Sequence, residues 1–585
     1  MQETSAVFKK VPPDSSDTYF LPSTVATQDS VSAPFLKGLF QPRTPQFIAL
    51  ALAIWLTLTA NWALWLRLPS LDGYHGSLAL LALRVVPLVL GASLLLTSLF
   101  AWPRFTKPFW VALLLVAASS QYFMVSYGTV MDKGMVHNIL QTDARESSDL
   151  FNIKLLAEVL IIAILPAIWL WKTPLKRANS VWRNMLRTAL LLLGGIALIA
   201  ASLAVSYRDL APVVRNNLWL RYMINPINPV LSAASVALDP ILNKPRPFVS
   251  ITGGAALGAS YAAAQKPPLL VLVVGETARS KNFSLNGYER DTNPELAKRD
   301  VLSWRNAHSC GTSTRESVPC MFSNLGREGF YASKVEHDNL LDVLQAAGLA
   351  VLWVDNQAGC KGVCKRIPMA DTADSVNTPA GKALCTQDGE CLDALLLSGL
   401  DERIAKLDPA RRAKGLVLVM HQMGSHGPEY FKRSTPDLKA FTPECATNAL
   451  SSCSQQSVVN VYDNSIRYTD HFLAQTIDWL KTQQSQFETG MFYMSDHGES
   501  LGELGVYLHG MPYAMAPDDQ KHVPMIAWLG TLGARTGLNQ GCLSKTLDQP
   551  LSHDNLFHTV MGLMDVTSPT YKQPLDAFSS CRKAG

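Results

Sequence analysis

Leu269-Leu270-Val271-Leu272-Val273-Val274, ended by Gly275-Glu276-Thr277, is the stretch that decides the fold of the second half of this 585-residue chain. Six consecutive aliphatic residues stopped by a glycine read as a short strand buried on both faces, as in a sheet covered by helices. Comparable runs recur at 350–354, 415–420, 491–494 and 523–529. Helical patterns lie between them: 338–345 opens on a capping residue, and 456–482 is long and amphipathic. Strands alternating with helices predict an α/β sandwich from residue 266 to the end, with a largely parallel sheet. In such sheets ligands sit at the carboxyl ends of the strands.

Those strand ends carry metal-ligand chemistry. The first strand runs into Glu276, the third run into His421-Gln422-Met423-Gly424-Ser425-His426, and the fourth into Ser495-Asp496-His497. A further loop carries His509-Gly510-Met511-Pro512. Singly, such a residue is more often a cap or a core hydrogen-bond partner. Together they bring two carboxylates and several imidazoles to one sheet edge, a donor set that suits a catalytic zinc. Beside them in sequence lies Ser309-Cys310-Gly311-Thr312-Ser313-Thr314-Arg315-Glu316-Ser317-Val318-Pro319-Cys320, which holds hydroxyl residues between two cysteines. Thr312 and Thr314 are both candidate nucleophiles, and a spacing of two does not choose between them. Should a helix begin there, its N-terminus would favour a phosphate.

All ten cysteines lie after residue 300. By proximity they group as Cys310 with Cys320, Cys360 with Cys364, Cys385 with Cys391, Cys445 with Cys453, and Cys542 with Cys581. An even count in one domain reads as disulfides in an oxidising compartment; a zinc-thiolate site lacks the Cys-x2-Cys spacing it needs. The net charge of +4 is too small for this length to argue for nucleic acid.

The first half is apolar. Residues 1–44 read as a mobile polar tail. Five stretches near 46–66, 77–100, 109–127, 153–171 and 187–206 each reach the ~20 residues that span a bilayer. Lys9, Lys10, Lys37 and Arg43 in the tail, Arg104 and Lys107 in the second loop, and Lys172, Lys176, Arg177, Arg183 and Arg187 in the fourth mark the cytoplasmic side. Five crossings then leave the cysteine-bearing domain outside. Arg84 and Glu158 fall within spans, where structural pairing or snorkelling is the more ordinary role. In the third loop, Asn138, Thr142 and Glu146 fall at i, i+4 and i+8 and would share one side of a helix. On spacing alone this is a solvated face. Residues 207–265 form a bridge: 218–224 reads as an interfacial helix, Pro226, Pro229, Pro245 and Pro247 punctuate the chain beyond it, and 252–265 is an Ala/Gly-rich linker.

Asp496-His497-Gly498-Glu499-Ser500, Val274-Gly275-Glu276-Thr277-Ala278-Arg279, Asn282-Phe283-Ser284-Leu285-Asn286-Gly287-Tyr288, Gly424-Ser425-His426-Gly427-Pro428, Tyr507-Leu508-His509-Gly510-Met511-Pro512 and Cys310-Gly311-Thr312-Ser313-Thr314 together resemble the lipid A phosphoethanolamine transferases, including the mobile colistin-resistance enzymes. The resemblance covers nearly the whole chain after about residue 45. It implies a five-helix transmembrane domain followed by an alkaline-phosphatase/sulfatase-like α/β sandwich domain in the periplasm, on the bacterial inner membrane. It implies Zn2+ held by Glu276, Thr314, Asp496 and His497, with a second ion admitted alongside substrate, and Thr314 as the nucleophile. His426 and His509 match residues that bind the phosphoryl group or that second ion, Lys361 matches a substrate-contacting lysine, and His421 lines the same site. Asn138, Thr142 and Glu146 match lipid-contacting residues, which reverses the reading from spacing. The implied partners are a phosphatidylethanolamine donor and a lipid A acceptor, acted on by a monomer. Core-oligosaccharide sugar and periplasmic glucan are the alternative acceptors. A membrane-anchored phosphodiesterase or sulfatase and a non-enzymatic lipid scaffold or transporter are the rival functions; neither Cys310 nor Cys320 starts the Cys-x-Pro-x-Arg pattern of a sulfatase.

Overall fold

The computed structural model describes residues 38 and 40–582, apart from 72–76, 102–105, 143, 177–179, 243–245 and 387–389. Most of the expected tail, with Lys9, Lys10 and Lys37, lies outside the described residues, as do Arg104 and Arg177. Among the described residues, five helices are long and apolar enough to cross a membrane: Pro45–Arg67, Leu78–Leu99, Thr106–Tyr127, Ile153–Lys172 and Val181–Tyr207. The fifth starts earlier than its apolar run, so Arg183 and Arg187 ride its first turns instead of a loop. It also continues to Asn216, past the expected boundary at 206.

The spans pack through small and polar groups, as lipid-embedded helices do. The second and fifth cross at Gly91 and Gly195, where a Cβ on Gly91 would stand 2.7 Å from the Gly195 carbonyl oxygen. Within the first span, at the break after Thr59, Asn61 Nδ2 donates to Asn225 O at 2.6 Å and Asn225 Nδ2 to Ala60 O and Ala117 O, each at 2.8 Å. Lipid-facing positions stay apolar: Leu83, Trp171 and Val205 are exposed.

The third loop folds as two short helices, α1 (Lys133–Gln141) and α2 (Ala144–Asp149). Asp132 caps α1, accepting from Met135 N at 2.8 Å. Thr142 is the C-cap of α1 in extended conformation, so the expected single stripe through Asn138, Thr142 and Glu146 is broken. In the bridge, residues Leu218–Met223 form only a short 3-10 turn, and a helix the sequence did not announce comes after it, α3 (Ile227–Leu242). Its prolines sit where they are tolerated: Pro229 falls in the first turn, which needs no N–H partner, and Pro240 lies at the end. The expected linker at 252–265 is docked. Ile251 N donates to Asp338 Oδ2 at 3.0 Å, Ser260 N to Asp565 Oδ2 at 2.9 Å, and Tyr261 OH to Met564 O at 2.7 Å.

The sheet elements are β1 (Pro268–Gly275), β2 (Leu302–His308), α4 (Thr314–Met321), α5 (Leu340–Ala346), β3 (Ala350–Asp355), β4 (Met369–Asp371), β5 (Leu416–His421), α6 (Gln455–Thr482), β6 (Glu488–Ser495), β7 (His522–Trp528), β8 (Leu551–Ser552) and α7 (Leu556–Leu563). Eight strands join in the order β8-β2-β7-β6-β1-β5-β3-β4. The sheet is parallel except at β7, which runs antiparallel to both β6 and β2. Alternation along β1 explains the sandwich: Leu270, Leu272 and Val274 enter the core beneath α5 and α7, while Leu269, Val271 and Val273 enter the core beneath α6. Five disulfides close Cys310–Cys320, Cys360–Cys364, Cys385–Cys391, Cys445–Cys453 and Cys542–Cys581.

Candidate active site

The carboxyl ends of β1, β5 and β6 converge where the sheet rules require. Glu276 follows β1, His421 ends β5, and Asp496 and His497 follow β6. The Glu276 carboxylate accepts from Thr314 Oγ1 at 3.0 Å and from Gln357 Nε2 at 3.2 Å through one oxygen, and from Thr277 Oγ1 through the other. Thr277 holds φ of +58°, a conformation that a threonine adopts only under restraint from its surroundings. Gly424 (φ +54°) lets a neighbouring loop pass close by: a Cβ there would lie 2.5 Å from the Glu276 carbonyl oxygen. His497 Nδ1 donates to Gly498 O at 2.9 Å, which turns Nε2 toward the carboxylates, 3.2 Å from Glu276 Oε1 and 3.4 Å from Asp496 Oδ2.

Glu276, Asp496 and His497 are buried, with one ligand atom of each within 4.8 Å of the others. Asp496 Oδ2 and His497 Nε2 have no hydrogen-bond partner. Burial raises the Asp496 carboxyl and the Glu276 charge raises it further, to about 7. Burial also works to raise Glu276, but the adjoining His497 and the charges of His426 and His509 hold it well below the usual carboxylate range. Burial lowers His497, yet Asp496 and Glu276 lift it to about 10. Two buried carboxylates facing orphaned donor atoms are the electrostatics of a cation site, and the residues present fit a divalent metal.

Two carboxylate–imidazole pairs flank this cluster. His421 Nδ1 meets Asp355 Oδ1 at 2.9 Å, and His509 Nδ1 meets Glu499 Oε2 at 2.8 Å. Glu499 also accepts from Tyr430 OH, and burial pushes its carboxyl up to about 8. His509 packs against the His497 ring (centroids 4.2 Å apart) and the His426 ring (5.4 Å). Buried Nε2 of His421 and Nδ1 of His426 have no hydrogen-bond partner. The loop bearing both histidines is held by Asp393, which accepts from Met423 N at 2.8 Å and Gly424 N at 2.9 Å.

Thr314 is the first residue of α4, after the N-cap Ser313. Its loop is fixed by the Cys310–Cys320 disulfide and by His553, whose Nδ1 accepts from Cys310 N at 3.0 Å while its Nε2 donates to Ser495 O at 2.9 Å. Thr312 is placed otherwise: its hydroxyl donates to Met511 O at 2.6 Å.

Matches to protein-family models divide the chain at the same place as the fold. Residues 89–240 match "Phosphoethanolamine transferase EptA/EptB" and residues 268–566 match "Sulfatase". The EptA phosphoethanolamine transferase of Escherichia coli K12 is 39% identical over 516 residues, covering 88% of this chain and 92% of that protein. The chain belongs to the EptA/EptB phosphoethanolamine transferase family. It is also 38% identical to the phosphatidylethanolamine transferase Mcr-1 of Escherichia coli over 536 residues, covering 90% of this chain and 96% of that one. The solved integral membrane lipooligosaccharide phosphoethanolamine transferase A of Neisseria meningitidis superposes with a TM-score of 0.86 at 34% identity, covering 93% of this chain and 100% of that one.

In this transferase a cavity opens from Thr314 toward the membrane side. Its walls come from both halves of the chain: Asn138, Thr142 and Glu146 from α1 and α2, and Thr314, Gln357, Lys361, His426 and His509 from the catalytic domain. The loop residues thus share one site although they do not share one helix face. Gln357 is the joint, since its Nε2 donates to Glu146 Oε1 at 3.1 Å as well as to Glu276. Lys361 (φ +49°) donates to Ala358 O at 2.8 Å. Sequence reasoning missed Gln357, Asp355, Asp393, Glu499 and His553. Asp355 and Glu499 were within reach, as one ends a strand run and the other lies in the motif that starts at Asp496. Gln357 and His553 carry no local signal.

Proposed function

We propose that this chain transfers phosphoethanolamine from phosphatidylethanolamine to a lipid A phosphate through a covalent intermediate on Thr314, releasing diacylglycerol. The observation that carries this reading is the Thr314 hydroxyl, 3.0 Å from Glu276 Oε2 in a cavity shared with the membrane-side loop. Glu276, Thr314, Asp496 and His497 would hold Zn2+. Zinc bound there would lower the pKa of the threonine hydroxyl and offset charge on the phosphoryl oxygens, the chemistry it supplies to bound water.

Thr314 Oγ, held by its hydrogen bond to Glu276, attacks the donor phosphorus; the bond to diacylglycerol breaks, and the departing glycerol oxygen takes up the proton that the threonine hydroxyl gives up. A lipid A phosphate oxygen then attacks the same phosphorus, and Thr314 Oγ leaves and regains a proton. His426, His509 and Lys361 line the phosphoryl end and would stabilise its charge or take a second ion. Asn138, Thr142 and Glu146 would meet the donor head group. Thr312, engaged with Met511, is less suited to the role. An odd number of spans with basic cytoplasmic loops supports a catalytic domain in the periplasm of an inner-membrane protein. Capping a lipid A phosphate with a cationic amine would weaken its hold on polymyxins. The name of the Neisseria relative, a lipooligosaccharide transferase, supports the acceptor class.

Intact-mass analysis after incubation with the donor lipid tests the intermediate. A phosphoethanolamine adduct is expected on the wild-type chain and not on Thr314→Ala. An adduct that survives Thr314→Ala discards Thr314. Mass spectrometry of lipid A from cells with and without the protein reads the acceptor, and a shift confined to core sugar would reassign it.

A further inference from the structure

The cations near the cavity differ in what they already hold. Lys432 and Arg433 are paired with Asp149 and Glu390, and Lys361 Nζ donates to a carbonyl of its own loop. Arg315 stands apart. It follows Thr314 in α4 and lines the same cavity. It is half-buried and forms no ion pair among the described residues, and its Nε is buried without a hydrogen-bond partner. The adjacent Glu316 is turned elsewhere: a side chain added at Gly134 would meet Glu316 Oε1 and Asp132 Oδ1 at 3.4 Å each, so this carboxylate faces the N-terminus of α1. The other groups within electrostatic reach are Tyr331 and, across the gap on α1, His137. A guanidinium drawn partly out of water with no carboxylate in hydrogen-bond contact costs free energy that a directly bound anion recovers. Its planar donors fit the oxygens of a phosphate better than any other side chain does.

We propose that Arg315 binds a phosphate oxygen of the lipid in this cavity and is a specificity-determining residue of the transfer. The inference rests on the reading of Thr314 as the group that carries the phosphoryl unit. The ligand is a phosphate anion beside Thr314, and it has two sources: the phosphodiester of the donor or the phosphate of the acceptor. Unlike the histidines, Arg315 needs no metal for this role and remains cationic at every working pH.

The full chain in nanodiscs tests it in two arms. In the first, fluorescent phosphatidylethanolamine is titrated onto Thr314→Ala and onto Thr314→Ala/Arg315→Gln, neither of which turns over. In the second, transfer is measured against lipid A concentration for wild type, Arg315→Gln and Arg315→Lys. Losing a charge-assisted hydrogen bond is expected to cost ~10–100-fold. A loss of donor affinity assigns Arg315 to the phosphodiester, and a raised KM for lipid A with kcat little changed assigns it to the acceptor. Arg315→Lys should recover part of either loss. The proposal is overturned if neither arm moves, or if the Gln and Lys variants lose equally together with a fall in Tm. A wild-type chain that never releases diacylglycerol would sink the transferase reading, whereas binding of labelled phosphatidylethanolamine and of labelled lipid A to the Thr314→Ala chains needs no turnover, and a loss of either on Arg315→Gln would still support the proposal.

Discussion

Replacing Arg433 by leucine should separate the two walls of the cavity beside Thr314. The Arg433 guanidinium is 4% exposed and reaches Glu390 at 2.9 Å and Asp149 of α2 at 3.0 Å. Its Nε also donates to His426 O at 3.0 Å. Leucine leaves two buried carboxylates behind, 2% and 4% exposed. Breaking a buried pair from one side costs about 3–5 kcal/mol. Lys432 remains 2.9 Å from Asp149, so the lower end, about 3 kcal/mol, is the expected loss of docking. At ~1.4 kcal/mol per decade, the undocked population of α2 rises about a hundredfold. Hydrogen exchange over 144–151 in nanodiscs reads that population. Asp149→Asn keeps the Arg433–Glu390 pair and should raise exchange only about tenfold. The double variant should fall well short of the product of the two. Exchange over 144–151 in Arg433→Leu within about threefold of wild type, with the catalytic domain folded, would refute the docking argument.

In the metal-free protein Asp496 titrates at about 7 and His497 at about 10, so near neutral pH the cluster holds protons that a metal must displace. Zinc affinity should therefore fall as pH drops through 7, and calorimetry in buffers of different ionisation enthalpy should show proton release; none would contradict the assigned ligands. The sign for stability is opposite. Asp496 is raised above its unfolded value, so the metal-free fold should gain stability as pH falls from 7 toward 4, read by urea midpoint. Opening the Cys310–Cys320 loop with paired alanines removes a link across 10 residues, worth about 3 kcal/mol by chain entropy, and should loosen Thr314 enough to lower turnover. Gly195→Leu should block the approach of the second and fifth spans and cut the yield of folded protein, whereas leucine at the lipid-facing Val205 should not.

The strands that could be read from sequence are those buried on both faces, because β1, β3, β5, β6 and β7 each leave an unbroken apolar run. β2 escaped notice because Arg305 and Asn306 interrupt it: Arg305 turns outward to Asp548 at 2.6 Å while Trp304 and Ala307 face the core. β4 and β8 have three and two residues, too few for any period to register. Composition misled at 252–265, where Ala and Gly suggested flexibility. The docking partners Asp338 and Asp565 lie far along the chain and leave no local trace. At the site, Glu276, Asp496, His497 and the histidines were visible because strand ends are where a sheet delivers ligands. The different placement of Thr312 and Thr314 was not visible from spacing. It turns on the Met511 carbonyl, 199 residues from Thr312.

The Glu146–Gln357–Glu276 relay has a bearing on inheritance. The carboxylate–imidazole cluster and Thr314 belong to residues from 276 onward, while the facing wall of the cavity belongs to residues 138–146, written in a separate part of the gene. Selection can therefore vary one wall of the cavity without touching the metal-ligand cluster, so long as Gln357 still finds a carbonyl or carboxylate across the gap. The same partition means that a truncated C-terminal domain is an incomplete template for inhibitor screening, since it presents Thr314 beside a cavity with one wall missing.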